Sequence, residues 1–169
     1  MQQGTLNFLG DYIDGQFVVV DRPDGEFNDI SPGDLQDVVL RLSYRYDHVA
    51  RAAAAARKAY RGWSLMPISQ RAGYLKKLKE LYISHADEMA TIISRETGKP
   101  FWETQGEVKT MINKIDITID HSIHLIDEVK VENALPGVDG FIRHRSRGVM
   151  AVLGPFNFPG HLPNGHIVP

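Results

Sequence analysis

The chain has 169 residues, 43% of them hydrophobic, and its 19 basic and 21 acidic residues give a formal charge of −2. That balance implies no polyelectrolyte partner and argues against both nucleic acid and an anionic membrane surface. No apolar run reaches bilayer-spanning length, Met1-Gln2-Gln3-Gly4 lacks the features of a secretory signal, and no cysteine is available for disulfides or thiolate metal sites, so the cytoplasm is the expected compartment.

Phe8 to Val20 alternates around Asp14-Gly15, a pair suited to a two-residue hairpin turn, which predicts a strand on each side. Asp21 to Asp34 is rich in Pro, Gly and Asp and reads as loop, with Val38-Val39-Leu40 as a further short strand. Asp47 is placed to cap a helix whose apolar residues Val49, Ala52, Ala53, Ala56, Tyr60 and Trp63 follow helical spacing. Pro67 and Ser69 open a second helix carrying Leu75, Leu78 and Tyr82. Ser84 is the expected cap of a third, with Met89, Ile92 and Ile93 inward, closed by Gly98 and Pro100.

From Phe101 to about Glu128 a longer helical stripe runs through Trp102, Gln105, Val108, Ile112, Ile115, Ile119, Ile123 and Ile126. Pro136-Gly137 and Asp139-Gly140 mark turns before Phe141 to Arg147, whose alternation of apolar and basic residues suits an exposed or interface strand. Val149 to Leu153 is continuously apolar and partly β-branched, as in a strand buried on both faces of a parallel sheet.

Gly154-Pro155 breaks that run and begins the loop Gly154 to Gly160, where ligands of open parallel sheets bind. Asn157 carries the loop's chemistry. Its carboxamide N–H can stabilise an oxygen that gains negative charge in a transition state, or it can simply satisfy the backbone of a turn.

The string RGVMAVLGPFNFPGHLPNGHIVP resembles the aldehyde dehydrogenase superfamily where its oxyanion-hole asparagine lies. RETGKPFWETQGEV, MINKI and the Ala-rich segment Ala52 to Trp63 are similar to helical segments of the same family. MINKI and GHLPNGHIVP are most similar to the branch that oxidises succinylglutamate semialdehyde in arginine catabolism, although Ser146-Arg147 stands where that branch more usually has a proline and a histidine. The resemblance covers Leu6 to Pro169 and corresponds to about the first third of a family member.

The resemblance implies an α/β fold: a β-hairpin, a helical layer and the first strand of an incomplete parallel, Rossmann-like sheet. It divides the chain into residues 1–128, the hairpin and helices of a cofactor-binding domain; 129–147, an oligomerisation hairpin; and 148–169, the first strand and loop of the dinucleotide-binding sheet. It also implies that Asn157 is the oxyanion donor, that Leu153, Gly154, Pro155, Phe156 and Asn157 line the nicotinamide side of NAD, with NADP as the alternative, and that Phe158 borders the aldehyde tunnel. Lys114 reads equally as a ligand for the substrate's carboxylates or as a surface lysine. The small-molecule partner is an aldehyde, and a homo-oligomer is expected.

The family's cysteine nucleophile, glutamate base and glycine-rich loop correspond to sequence beyond Pro169, so the 169 residues alone are expected to be inactive. Two other readings stay open: a non-catalytic assembly module, and an aldehyde dehydrogenase of another branch. His121 and His124, and His161 and His166, lack the third ligand of a recognisable metal site. Arg143-His144-Arg145-Arg147 reads as a solvated or subunit-facing strand, and Glu96 to Pro100 as a helix end.

Overall fold

A computed structural model describes residues 4–169; Met1 to Gln3, part of the stretch read for a secretory signal, lie outside the described residues. The N-terminal hairpin joins β1 (Asp11–Ile13) to β2 (Gln16–Val18) in antiparallel register. Its turn has positive φ at both central residues, 51° at Asp14 and 84° at Gly15, as a tight two-residue turn requires.

The segment read as loop contains β3 (Gly25–Ile30), which pairs with β4 (Val38–Tyr44). Pro, Gly and Asp punctuate its ends, and cross-strand pairing decides its middle. Asp24, just before β3, accepts the Tyr46 amide at 2.8 Å and so caps α1 (Tyr46–Leu65) from a distant segment. Asp47 does not cap that helix: both its oxygens are taken by the Arg45 guanidinium, at 2.8 and 2.9 Å. The apolar face of α1 is only partly covered. His48 is buried against Asp11 at 2.6 Å, while Val49 and Trp63 stay exposed.

Helices α2 (Ile68–Ser84), α3 (Ala86–Thr97) and α4 (Phe101–Asp120) form the core layer. Ser84 does not cap α3. Its hydroxyl donates back to the Leu81 carbonyl at 3.0 Å, and His85 occupies the N-cap position. Gly98 ends α3 with φ 71°, a backbone conformation that favours glycine, and a Cβ there would stand 3.0 Å from the Pro32 ring, which would have to give by a few tenths of an ångström.

The long helix stops at Asp120 and continues as a 3-10 turn, Ser122–Ile126. Its buried face is Thr104, Glu107, Val108, Met111, Ile115 and Thr118, rotated from the expected stripe, and Trp102 is 73% exposed. Periodicity of apolar residues passes over the polar ones that are buried, most of them with partners; Thr118 Oγ1 has none. Thr104 is a partnered one, donating to the Ala90 carbonyl at 2.8 Å.

β5 (Val129–Leu135) and β6 (Val138–Ile142) make an antiparallel hairpin whose side chains are largely exposed. Val149 to Leu153 forms no strand: among the described residues no neighbour pairs with it, and Leu153 is 92% exposed. A parallel strand exists only through its ladder. The short α5 (His161–Ile167), which the sequence reading did not include, closes the chain against α4.

Candidate functional site

The junction of α3 and α4 sets one side of the site. Ser94 donates to the Lys99 carbonyl at 2.6 Å, and the Lys99 amide donates to Thr97 Oγ1 at 3.3 Å. These bonds hold the reversal at Gly98 and aim Lys99 along α4. Lys99 Nζ pairs with Glu107 Oε2 at 3.1 Å, with Glu103 more distant at 3.7 Å.

The other side is the loop before α5. Glu107 Oε1 accepts the amides of Gly160 and His161, both at 3.0 Å. Lys99 Nζ stands 3.5 Å from the centroid of the Phe158 ring, a cation–π contact adjacent to Asn157. One turn into α5, the Asn164 carboxamide donates to the Met111 carbonyl at 3.3 Å and accepts the Tyr82 hydroxyl at 3.1 Å. Burial pushes that Tyr82 hydroxyl above its ordinary pKa.

Between these fixed points lie the residues singled out from the sequence. A Cβ on Gly154 would meet the Pro163 ring at 3.0 Å, so the loop's first residue lies against α5. Pro155 is half-buried, and Phe156 is 91% exposed. The Asn157 side chain is exposed and makes no hydrogen bond with the described residues, which leaves its carboxamide free to donate. Leu153, Gly154, Pro155, Phe156, Asn157 and Phe158 are consecutive in one loop, whose Phe158 meets Lys99 and whose continuation at Gly160 and His161 is held by Glu107.

Lys114 stands apart from that loop. It is half-buried on α4, two turns beyond Glu107 and so about 10 Å farther along the axis. Sequence reasoning does not reach Lys99 and Glu107, Lys99 because Glu96 to Pro100 reads as a helix end. The signal available was a basic and an acidic residue eight apart across a helix start. Nothing local says that they meet. Among the described residues no group of three His, Cys, Asp or Glu side chains is disposed to hold a metal ion, and no helix is long and apolar enough to cross a membrane.

The aldehyde dehydrogenase family profile matches residues 19–169. The chain belongs to the aldehyde dehydrogenase family. An N-succinylglutamate 5-semialdehyde dehydrogenase 2 of Caulobacter vibrioides is 50% identical over 123 residues, 72% of this chain and 24% of that protein. An N-succinylglutamate 5-semialdehyde dehydrogenase of Burkholderia thailandensis is 43% identical over 160 residues, 94% of this chain and 32% of that protein. The solved structure of a putative methylmalonate-semialdehyde dehydrogenase from Sinorhizobium meliloti 1021, complexed with NAD, matches with TM-score 0.83 at 27% identity, covering 96% of this chain and 33% of that one. The chain thus spans about a quarter to a third of the length of these aldehyde dehydrogenases, and it has their α/β fold.

Proposed function

We propose that this chain carries the oxyanion-binding loop of an NAD(P)-dependent aldehyde dehydrogenase that oxidises a carboxylate-bearing semialdehyde, succinylglutamate semialdehyde, to its acid. The observation that supports this most is the Asn157 carboxamide, exposed and unengaged on a loop whose neighbours are fixed by Glu107 and Lys99. The names of the relatives at 43% and 50% identity support the substrate class. Ser146-Arg147 is the departure from that branch, and the Ser146 hydroxyl lies 2.7 Å from the Tyr60 hydroxyl, a contact that a proline could not make.

In the overall reaction the aldehyde, water and the oxidised dinucleotide give a carboxylate, the reduced dinucleotide and two protons. Asn157 acts on the aldehyde oxygen. As a nucleophile adds to the carbonyl, that oxygen becomes anionic, and the Asn157 N–H donates to it more strongly than to the ground-state carbonyl. Phe158, pinned by Lys99, is the apolar wall beside that oxygen, and Lys114 is the cation for a substrate carboxylate.

The residues present suit one wall of a nicotinamide site. Leu153 and Phe156 offer uncovered apolar side chains, and Gly154 offers bare backbone. The dinucleotide, when bound there, supplies the hydride acceptor. The nucleophile is a cysteine outside these residues, since the sequence contains none, and the 169 residues alone turn over no aldehyde. In the whole enzyme residues 1–128 belong to the cofactor-binding domain, residues 148–169 begin its dinucleotide sheet, and the exposed hairpin within 129–147 is an oligomer contact.

The test is Asn157→Ala in an enzyme of full family length that contains this segment. Turnover is expected to fall by about a hundred- to a thousandfold, with cofactor affinity little changed. Unchanged turnover, measured where chemistry limits the rate, overturns the role of Asn157.

A further inference from the structure

The face of α4 that meets the core carries Val108, Met111 and Ile115, and at the same depth it carries a carboxylate. The Glu107 side chain is 1% exposed. Isolated burial of such a charge is costly, so its partners must compensate it. Two of them are main-chain amides of one loop, Gly160 and His161 at 3.0 Å, and the third is Lys99 Nζ at 3.1 Å.

Lys99 in turn covers the face of the Phe158 ring. Asn157 is thus held on its C-terminal side twice, through the ring of the next residue and through the backbone two residues further on. Gly160 completes the fit: a Cβ there would stand 2.8 Å from Met111 Sδ and 3.1 Å from Ile93 Cδ1, so the loop lies directly on α3 and α4.

We infer that Glu107, with Lys99, is a positioning latch that fixes the loop carrying Asn157, acting through the loop backbone and the Phe158 ring without touching substrate. Its catalytic consequence rests on the oxyanion reading of Asn157; its structural consequence does not. An apolar residue at position 107 would fill the core but would leave the two amides unpaired and Lys99 without its partner. The latch orients a donor that has no restraint of its own.

The experiment is residue-resolved amide hydrogen exchange by NMR on the 169-residue chain. Glu107→Ala is expected to speed exchange at Gly160 and His161 by about tenfold or more while Val108 and Ile115 keep their protection. Glu107→Gln keeps an acceptor oxygen and should restore most of that protection, whereas Glu107→Met fills a similar volume without an acceptor and should not.

Lys99→Met covers the case in which Glu107→Ala does not fold. It should move the Phe158 ring resonances and loosen the same two amides several-fold. Unchanged exchange at Gly160 and His161, or equal acceleration throughout α4, overturns the latch. Asn157→Ala separates the two claims: it should leave the exchange pattern intact whether or not it lowers turnover in a full-length enzyme. A loosened loop in Glu107→Ala together with undiminished turnover in Asn157→Ala would keep the latch and remove the oxyanion role.

Discussion

The α3–α4–α5 side of the molecule and the stretch from β5 to Phe156 are both rich in apolar residues, yet only the first is closed. Val108 and Ile115 are almost wholly buried, and of the polar residues among them Thr104, Glu107 and Asn164 have named partners, while Thr118 Oγ1 is buried without one. From Val129 onward the pattern reverses: Val129, Leu135, Phe141, Met150, Leu153 and Phe156 lie exposed. Where α3, α4 and α5 supply one another's surfaces, the side chains have reached a core. The hairpin and the segment after it carry core-like residues without a covering surface, as an interface or ligand wall does.

The strongest way to break this contrast is to truncate one residue on each side. Ile115→Ala should destabilise the chain by about 2–5 kcal/mol, through lost transfer energy and the cavity left behind. Phe156→Ala, removing a larger side chain, should change stability by less than about 0.5 kcal/mol, because that ring is already in solvent. Urea unfolding midpoints compare the two directly. A Phe156 cost approaching that of Ile115 would mean that the exposed stretch has a cover in solution.

A smaller effect sharpens the same boundary at the α3–α4 reversal. Gly98→Ala must place a Cβ at φ 71° and 3.0 Å from the Pro32 ring, so a loss of about 1–2 kcal/mol is expected from the backbone alone. Because Gly98 aims Lys99, the Phe158 ring resonances should shift as well. A stability loss without any change at Phe158 would separate the turn from the loop.

These particulars show what was legible in the chain before its structure. The turn at Asp14-Gly15, the stop at Gly98 and the start after Pro67 are local events, each fixed by backbone preferences of one or two residues. The loop Gly154 to Phe158 was legible because its residue types and order resemble a family pattern. The cap of α1 was not, because Asp24 reaches Tyr46 across 22 positions of sequence. Nor was Glu107, whose role depends on amides more than 50 positions away. Strand Val149 to Leu153 fails for the complementary reason: its composition suits a ladder that only other strands can provide.

The smallest expected effect concerns charge and again contrasts the two regions. Arg95 joins α3 to the residue before β4 through a bidentate pair with Asp37, at 2.6 and 2.8 Å, and the hydrogen bond from that guanidinium holds the Asp37 carboxyl below its ordinary pKa. In the hairpin region Arg143 does the same for Glu128, in the open. A carboxyl whose folded pKa is depressed adds stability that is present above its unfolded pKa, about 3.9 for Asp and 4.3 for Glu, and is lost as pH falls through the folded value. Wild type should therefore exceed Asp37→Asn in unfolding midpoint at pH 6, and the gap should close below about pH 4. For Glu128→Gln the same acid-side closure is expected from a smaller gap, one that added salt largely removes, since both partners are solvated. A salt-resistant Glu128 gap would show that the hairpin is shielded from water in solution, and the division between a closed and an open half of this molecule would then have to be redrawn.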